Sequence, residues 1–249
     1  MDLLRAVFPH TCHVTAGRCF IQKEPCCRRR RRNRVKVKVV TKILEANERI
    51  ALENRRLFDK SGVYVINLMS GPGAGKTSIL EKTLSQAAGI RIGVIEGDIA
   101  GSDDAERIEQ CGAPVVQINT GGACHLDANM IYEVLGELPL QDLNLLFIEN
   151  VGNLVCPAEF KVGEDIKVMV LSIAEGHDKP LKYPLMFQES SALLLNKMDL
   201  APYLDVDIEK IRRDALSLNP KLKIFEISCK TGQGLPEWID WLKELIMKR

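Results

Sequence analysis

The sequence predicts an α/β fold with an open, mostly parallel sheet and helices on both faces. Strand-like apolar runs alternate with helical patterns along most of the chain, which is the order found in such folds. Several runs are almost wholly apolar, as strands covered on both faces must be. The first run leads directly into a glycine-rich turn and then into a helical pattern, a junction typical of a phosphate-binding loop.

Seven strands and six helices make up this prediction. The strands are expected at 63–69, 91–96, 114–118, 143–148, 166–173, 192–195 and 223–227. An amphipathic helix is expected at 42–58, with further helices at 76–87, 104–111, 126–137, 206–217 and 235–247. Because ligands of open parallel sheets bind at the carboxyl ends of the strands, the residues that follow each strand are the candidates for chemistry.

The composition indicates one main domain without an overall charge. The 249 residues are 46% hydrophobic, enough for a substantial core, and the formal net charge is +1. We therefore expect no nucleic-acid partner and no membrane partner. A helix that spans a bilayer needs about 20 consecutive apolar residues, and the sequence has no such run. A cytoplasmic protein is expected, in which the eight cysteines are thiols or metal ligands.

The chain before the first strand divides into two parts. Residues 1–34 lack apolar periodicity and contain an arginine run at 28–32, so a disordered, basic, cysteine-containing extension is expected. Metal binding by its cysteines, or nucleic-acid or nuclear-import recognition of its arginines, is the alternative. Residues 35–60 are expected to form an amphipathic helical arm, which either packs on its own domain or offers a docking face to a partner.

The turn SGPGAGKT at 70–77 carries the phosphate-binding pattern. Its glycines let backbone N–H groups close around an anion at the N-terminus of the next helix. Lys76 is expected to reach the β- and γ-phosphates, and Thr77 to place its hydroxyl on Mg²⁺. Ser70 stands where the pattern has its first glycine, and an ordinary strand-to-helix turn is the alternative. The predicted phosphate-binding residues are Gly71, Gly73, Ala74, Gly75, Lys76, Thr77 and Ser78.

The tetrapeptide Asn-Lys-Met-Asp at 196–199 follows an apolar run and predicts selection of guanine. The Asp199 carboxylate can accept the N1 hydrogen and a 2-amino hydrogen of guanine, which adenine does not offer. Asn196 is expected to tether neighbouring loops, and the Lys197 stem to cover the base. The backbone N–H groups expected at the guanine O6 belong to Ser228, Cys229 and Lys230. Residues 61–249 are thus expected to form a P-loop GTPase domain, with a plain Asn-x-x-Asp turn as the alternative.

Acidic residues after two of the strands are candidates for the phosphate end of the site. Asp98 and Asp104 follow the second strand and Glu149 follows the fourth, and such hard oxygen ligands suit Mg²⁺. Together with Lys76 they are the expected catalytic residues. Gly152 is expected to donate its N–H to the γ-phosphate and so to respond to hydrolysis. The alternative for each acid is a helix cap or a surface charge.

Two loops near these strand ends combine cysteine and histidine. Cys124 and His125 lie in one loop and Cys156 in the other, and the side chains are expected to meet as ligands for Ni²⁺ or Zn²⁺. Three ligands do not close a site, so two copies facing each other in a homodimer are expected to complete it. Two structural cysteines and a surface histidine are the alternative. Cys111 and Cys229 are expected to be buried thiols.

A family resemblance rests on ordered motifs, namely NLMSGPGAGKT, EGD with DAERI, TGGACHLDA, IENVGNLVCP, EGHDKPLKYP and NKMDL. From about residue 39 onward the chain resembles the HypB family of hydrogenase nickel-incorporation GTPases. The resemblance implies a dimerising P-loop GTPase of the SIMIBI class that uses GTP, GDP and Mg²⁺, and it favours a nickel or zinc site at Cys124, His125 and Cys156. It also implies two partners, a HypA-type nickel-delivery accessory protein and the large-subunit precursor of [NiFe]-hydrogenase.

The leading hypothesis from the sequence is an enzyme that works as a switch. It would hydrolyse GTP to GDP and phosphate and assist nickel insertion into [NiFe]-hydrogenase. A metal-buffering protein with a structural nucleotide and a P-loop kinase of a small molecule are the alternatives. The Asn-Lys-Met-Asp tetrapeptide and the Cys-His loop argue against the kinase, and metal affinity that is indifferent to GTP or GDP is what buffering predicts.

Overall fold

A computed structural model describes residues 38–99 and 101–249, with side chains from residue 42 onward. Over that part the chain forms a sheet in the order β3-β2-β4-β1-β5-β6-β7, and every neighbouring pair is parallel. The strands are β1 Tyr64–Ser70, β2 Ile92–Asp98, β3 Val115–Asn119, β4 Leu145–Glu149, β5 Ile166–Ser172, β6 Ala192–Asn196 and β7 Lys223–Glu226. The chain winds outward from β1 in both directions, and open sheets bind their ligands at such a point.

Helices cover both faces of the sheet. The α-helices are α1 Lys38–Ser61, α2 Lys76–Gln86, α3 Asp103–Gln110, α4 Ala128–Val134, α5 Cys156–Glu159, α6 Lys179–Lys182, α7 Pro184–Glu189, α8 Ile208–Leu218 and α9 Leu235–Met247. Ile79 of α2, Ile108 of α3 and Trp238 of α9 belong to the core on one face. Phe58 of α1 and Phe187 of α7 belong to the core on the other face. Among the described helices, none has both the length and the apolar character needed to cross a bilayer.

The predicted fold class is confirmed, and each predicted strand lies within two residues of its observed bounds. The expected helix at 126–137 is shorter, because α4 ends at Val134 and a 3₁₀ turn, Leu135–Glu137, continues it. The helices α5, α6 and α7 were not predicted, since segments of four to six residues are too short to show a helical period. The expected boundary after residue 34 and the expected disorder of 1–34 lie outside the described residues and stay predictions.

The two cysteines expected to be buried are more accessible than predicted. Cys111 is exposed, because it caps the end of α3 and its thiol turns to the Arg107 carbonyl, 3.4 Å away, rather than to the core. Cys229 is half-buried beside the loop that follows β7. The expectation of a buried thiol is therefore wrong for Cys111.

The helix α1 packs on the domain through a stripe that includes two buried asparagines. Asn47 and Asn54 lie on the same helix face as Ala51 and Phe58, and all four side chains are buried. The Asn54 amide donates to the carbonyls of Ala128 and Val162, at 2.8 and 3.0 Å. Asn47 donates to the Lys161 carbonyl at 2.8 Å and accepts from the Ala128 N–H at 2.8 Å. Ile43 and Leu57, two apolar residues of the amphipathic helix expected at 42–58, are instead exposed.

We expect Asn54→Ala to destabilise the fold by about 2 kcal/mol or more, because it leaves two buried carbonyls without a donor. Urea unfolding followed by circular dichroism measures the effect. Asn129→Ala on the exposed face of α4 is the matched control and should change the free energy of unfolding little. Equal stability of the two variants would mean that α1 is not held to the domain by this amide.

Candidate nucleotide and metal site

The phosphate loop joins β1 to α2 at the carboxyl edge of the sheet. Gly73 and Gly75 have positive φ angles of 72° and 100°, which L side chains rarely adopt, so the loop needs glycine at both positions. The Ser70 hydroxyl donates to the Gly71 carbonyl at 2.6 Å and accepts from the Lys76 ammonium at 3.1 Å. The serine at the first position of the pattern therefore holds the lysine in the loop.

The end of β4 lies against the start of α2. The Thr77 hydroxyl donates to Glu149 Oε1 at 2.9 Å, and the Lys76 Nζ lies 3.9 Å from the same oxygen. Glu149 is 2% exposed, and burial raises its pKa to about 7, against the lowering effect of Lys76 and Thr77. Three predicted site residues, Lys76, Thr77 and Glu149, are thus brought together beside the phosphate loop.

A group of three carboxylates lies beside Thr77. Ligand oxygens of Glu96, Asp104 and Glu149 are within 4.8 Å of one another. Glu96 is 3% exposed, and burial together with the neighbouring Glu149 raises its pKa to about 8. The Oε2 atoms of Glu96 and Glu149 are buried without a hydrogen-bond partner. Orphaned, buried, hard oxygen atoms of this kind fit a divalent cation such as Mg²⁺.

The structure places Asp98 outside this group, contrary to the expectation from the sequence. Its carboxylate accepts the Gly101 N–H at 2.8 Å and so closes the turn after β2. Glu96, which sequence reasoning did not select as a ligand, takes its place, because the β2–β4 register sets it beside Glu149. Glu96 lies two residues before Asp98 in the same acidic stretch, has a buried oxygen without a hydrogen-bond partner, and belongs to the group.

Asp104 belongs to the first turn of α3 and is also tied to α2. Arg107 donates to Asp104 at 2.8 Å, to Glu81 at 2.6 Å and to the Ser78 hydroxyl at 3.2 Å. The hydrogen bond to Glu81 is the main reason that the pKa of Arg107 is raised. The arginine therefore connects the helix that follows the phosphate loop with the helix that carries Asp104.

A separate cavity of about 220 Å³ lies beside the phosphate loop. The Asn196 amide donates to the Ala74 carbonyl at 2.9 Å, and the Lys197 ammonium donates to the Gly73 carbonyl at 2.8 Å. The expected tethering by Asn196 is thus present. The cavity is lined by Gly75, Ser78, Asn196, Lys197, Asp199, Leu200, Cys229 and Lys230.

Ser228 has a different position from the one expected. Its N–H donates to the Gln233 carbonyl at 3.0 Å, and its hydroxyl donates to the Asp199 carboxylate at 2.6 Å. The Ser228 amide is therefore used within its own loop, and its hydroxyl orients Asp199. Cys229 and Lys230 line the cavity and remain the residues whose backbone can face a base.

The Cys-His group forms at the surface on two loops. The Sγ atoms of Cys124 and Cys156 are 3.0 Å apart, and Cys124 Sγ is 3.5 Å from His125 Nδ1. The hydrogen bond from Cys124 and then burial raise the pKa of Cys156 to about 11, and burial lowers the pKa of His125. The His125 ring lies 3.9 Å from that of Phe160, measured between centroids. Thiol and imidazole ligands in this arrangement suit a borderline metal ion such as Ni²⁺ or Zn²⁺.

Asn150 fixes the start of the loop that runs from the phosphate site to Cys156, a role that the sequence reasoning missed. Its side-chain oxygen accepts the N–H of Leu126 at 2.9 Å and that of Val151 at 3.0 Å, and its amide donates to Asn67 at 3.1 Å. Gly152 lies against the phosphate loop, since a Cβ there would be 2.9 Å from the Pro72 Cα. One short loop therefore touches both groups.

Comparison with known proteins shows the family of this chain. Residues 64–226 match the model of the CobW/HypB/UreG nucleotide-binding domain. Hydrogenase maturation factor HypB of Escherichia coli K12 is 50% identical over 202 residues, which cover 81% of this chain and 70% of that protein. The chain belongs to the HypB family.

Solved structures of HypB proteins share the fold. The HypB crystal structure from Archaeoglobus fulgidus has a TM-score of 0.77 and 40% identity, covering 82% of this chain and 100% of that one. HypB from Helicobacter pylori in complex with nickel has a TM-score of 0.78 and 36% identity, covering 82% and 96%.

We expect this domain, without nucleotide or cation, to lose stability as the pH rises. Burial raises the pKa of Glu96 to about 8 and that of Glu149 to about 7 in the folded domain, above the ordinary value of 4.5. Folding thus favours the protonated carboxyls, and the free energy of unfolding should fall between about pH 4.5 and about pH 8. Urea unfolding in EDTA across this window should show a smaller fall for Glu96→Gln, and equal falls in both proteins would contradict the prediction.

Proposed function

We propose that this chain is a GTP-hydrolysing nickel metallochaperone that assists nickel insertion into the large-subunit precursor of [NiFe]-hydrogenase. The observation that carries the proposal is the closeness of two sites along one loop. Gly152 touches the phosphate loop, and Cys156 of the Cys-His group follows four residues later. A nucleotide-dependent movement at Gly152 is therefore transmitted to a metal ligand through a few backbone bonds.

The nucleotide is held by groups from both ends of the carboxyl edge. Backbone N–H groups of the phosphate loop surround the phosphates, and the Lys76 ammonium faces the β- and γ-phosphates. Asp199, oriented by the Ser228 hydroxyl, accepts hydrogens from the guanine edge in the 220 Å³ cavity. The hydrogen bonds that Asn196 and Lys197 donate to carbonyls of the phosphate loop support one shared site for the base and the phosphates.

Hydrolysis requires that negative charge on the phosphates be stabilised. Thr77, Asp104 and Glu149 would hold Mg²⁺, which neutralises charge on the phosphate oxygens when bound. Lys76 and the Gly152 N–H act on the γ-phosphate from the protein side. Loss of that phosphate releases Gly152, and the loop through Cys156 becomes free to change position.

Nickel is the cargo of this proposal, and Cys124, His125 and Cys156 are its ligands. Three ligands leave a tetrahedral or square-planar ion open, so a homodimer that places two such groups face to face would complete it. The nickel complex of the H. pylori relative supports nickel as the metal, and Zn²⁺ fits the same donors. The binding of nickel then depends on nucleotide state through the dimer.

Two partners and a compartment belong to the same proposal. The exposed Ile43 and Leu57 of α1 offer an apolar face to a HypA-type nickel-delivery protein. The hydrogenase large-subunit precursor receives the metal. The chain works in the cytoplasm, where precursor and accessory protein meet.

We expect Asp199→Asn to reduce preference for GTP over other purine nucleotides by about tenfold or more, because one acceptor for guanine hydrogens becomes a donor. Competition binding with GTP, ATP and XTP measures the effect, and XTP should gain because xanthine has a carbonyl where guanine has its amino group. Asp205→Asn, an exposed acid outside the cavity, is the control. Unchanged selectivity would remove Asp199 from the base site.

We expect metal affinity to differ between GDP and a non-hydrolysable GTP analogue in wild-type protein. By linkage, metal must change the affinity for GTP by the same factor. The corresponding coupling free energy is typically about 1–3 kcal/mol. Nickel titration by calorimetry, with oligomeric state read in the same samples, measures both effects. Cys156→Ala should weaken metal binding and remove the nucleotide dependence, while turnover of GTP persists because no phosphate-contacting group is lost.

The control for this titration is Cys111→Ala, which removes an exposed thiol outside the Cys-His group. It should leave both affinities unchanged. Equal nickel affinity with either nucleotide in wild-type protein would favour a metal buffer over a switch. GTP turnover that requires a small-molecule acceptor would favour a kinase.

A further inference from the structure

Glu96 is the carboxylate that the proposed nucleotide site does not use. It lies near the end of β2 and is the direct neighbour of Glu149 across the β2–β4 pair. Paired residues of neighbouring parallel strands lie on the same face of a sheet, so the two side chains leave the sheet together. Two acidic side chains are therefore placed next to each other in the interior, where like charges repel strongly.

No described group donates a hydrogen bond to the buried Oε2 atom of Glu96. Thr77 donates to Glu149 Oε1, and the Lys76 ammonium is 3.9 Å from that atom, so one oxygen of Glu149 has polar neighbours. The Oε2 atoms of Glu149 and Glu96 are both buried without a partner. Asp104, which already accepts a hydrogen bond from Arg107 at 2.8 Å, adds a third carboxylate at the same place. Two adjacent buried carboxyl groups are costly to ionise, and a cation that all three groups contact would offset that cost.

The spacing of the oxygens fits a single ion. Their mutual separation of up to 4.8 Å compares with about 4.2–4.8 Å between opposite ligands of an ion bound at about 2.1–2.4 Å. Carboxylate oxygens favour hard cations such as Mg²⁺ and Mn²⁺ over the softer metals that suit the Cys-His group. A water molecule could donate to both unpartnered oxygens, but it carries no positive charge to offset two adjacent carboxylates.

We propose that Glu96 is a direct ligand of a divalent-cation site, formed with Asp104 and Glu149, that is occupied before any nucleotide binds. This inference rests on the cation site of the proposed function but not on the identity of the nucleotide. The site prepares the phosphate loop, because the cation already lies beside the Thr77 hydroxyl when phosphate arrives. It also removes the repulsion between the ends of β2 and β4.

The first test is cation binding by the nucleotide-free full-length protein. Mn²⁺ is titrated and the free ion is followed by electron paramagnetic resonance, with nickel and zinc removed beforehand. Wild-type protein should bind one Mn²⁺ in this hard site, and Glu96→Gln should weaken it about tenfold or more. Asp103→Asn removes the adjacent acid of the same helix turn, which is outside the group, and should leave the affinity nearly unchanged.

A second measurement separates direct ligation from attraction at a distance. Eu³⁺ luminescence lifetimes in H₂O and D₂O count the water molecules on the ion. Both Glu96→Gln and Glu96→Asp should increase that count relative to wild type, because the first loses the charged ligand and the second keeps the charge but shortens its reach. A weaker affinity with an unchanged water count would overturn ligation by Glu96, as would unchanged Mn²⁺ affinity or a wild type that binds no Mn²⁺ without nucleotide.

Folding and the proposed function are checked on the same samples. Gln has the shape of Glu without its charge, so Glu96→Gln should be at least as stable as wild type in EDTA, as judged by thermal unfolding. GDP affinity is measured in EDTA for every variant. If GDP binds equally well to all of them while Mn²⁺ binding does not respond to Glu96, the inference fails and the nucleotide site stands. If GDP binds to none, including wild type, the proposed function itself fails.

Discussion

The hydrogen bond between the Thr77 hydroxyl and the Glu149 carboxylate fixes the site around which the structure is arranged. It joins the first turn of α2 to the end of β4, and it is possible only because β1 and β4 are paired in parallel and end at one edge. A carboxylate 2% exposed is thereby held beside a loop built for phosphate. The same register brings Glu96 against Glu149, so two buried carboxyl groups lie side by side, each with one oxygen that has no hydrogen-bond partner.

The two chemical groups of the molecule share one strand end. The loop after β4 begins at Asn150, touches the phosphate loop at Gly152 and reaches the thiol of Cys156 within α5. Asn150 also accepts the N–H of Leu126, next to the loop of Cys124 and His125. In the proposed switch, a movement of this loop would therefore reach both halves of the Cys-His group. Because only a few covalent and hydrogen bonds separate the two groups, the proposed coupling does not require a long pathway across the domain.

The helix α1 shows how polar side chains can replace apolar ones in packing. Asn47 and Asn54 satisfy carbonyls of the α4 and 161–162 segments, which fixes the position of the helix along its axis more strictly than apolar contacts alone. One consequence is that part of the apolar stripe is not used by the domain. Ile43 and Leu57 stay on the surface, which is why the helix can pack and still present an apolar face.

The sequence by itself determined the fold class and the glycine-rich junction between the first strand and its helix, and it predicts guanine selection from the tetrapeptide at 196–199, because these depend on local periodicity and on residues adjacent in the chain. It also indicated that Cys124, His125 and Cys156 would meet, since their loops follow strands of one parallel sheet. The choice between Glu96 and Asp98 was decided only by the tertiary structure. Residues two apart in a strand point to the same face, so the sequence pattern cannot separate them. The pairing of Glu96 with Glu149, and the turn that engages Asp98 with Gly101, depend on strand register and a local loop, which no spacing in the chain specifies.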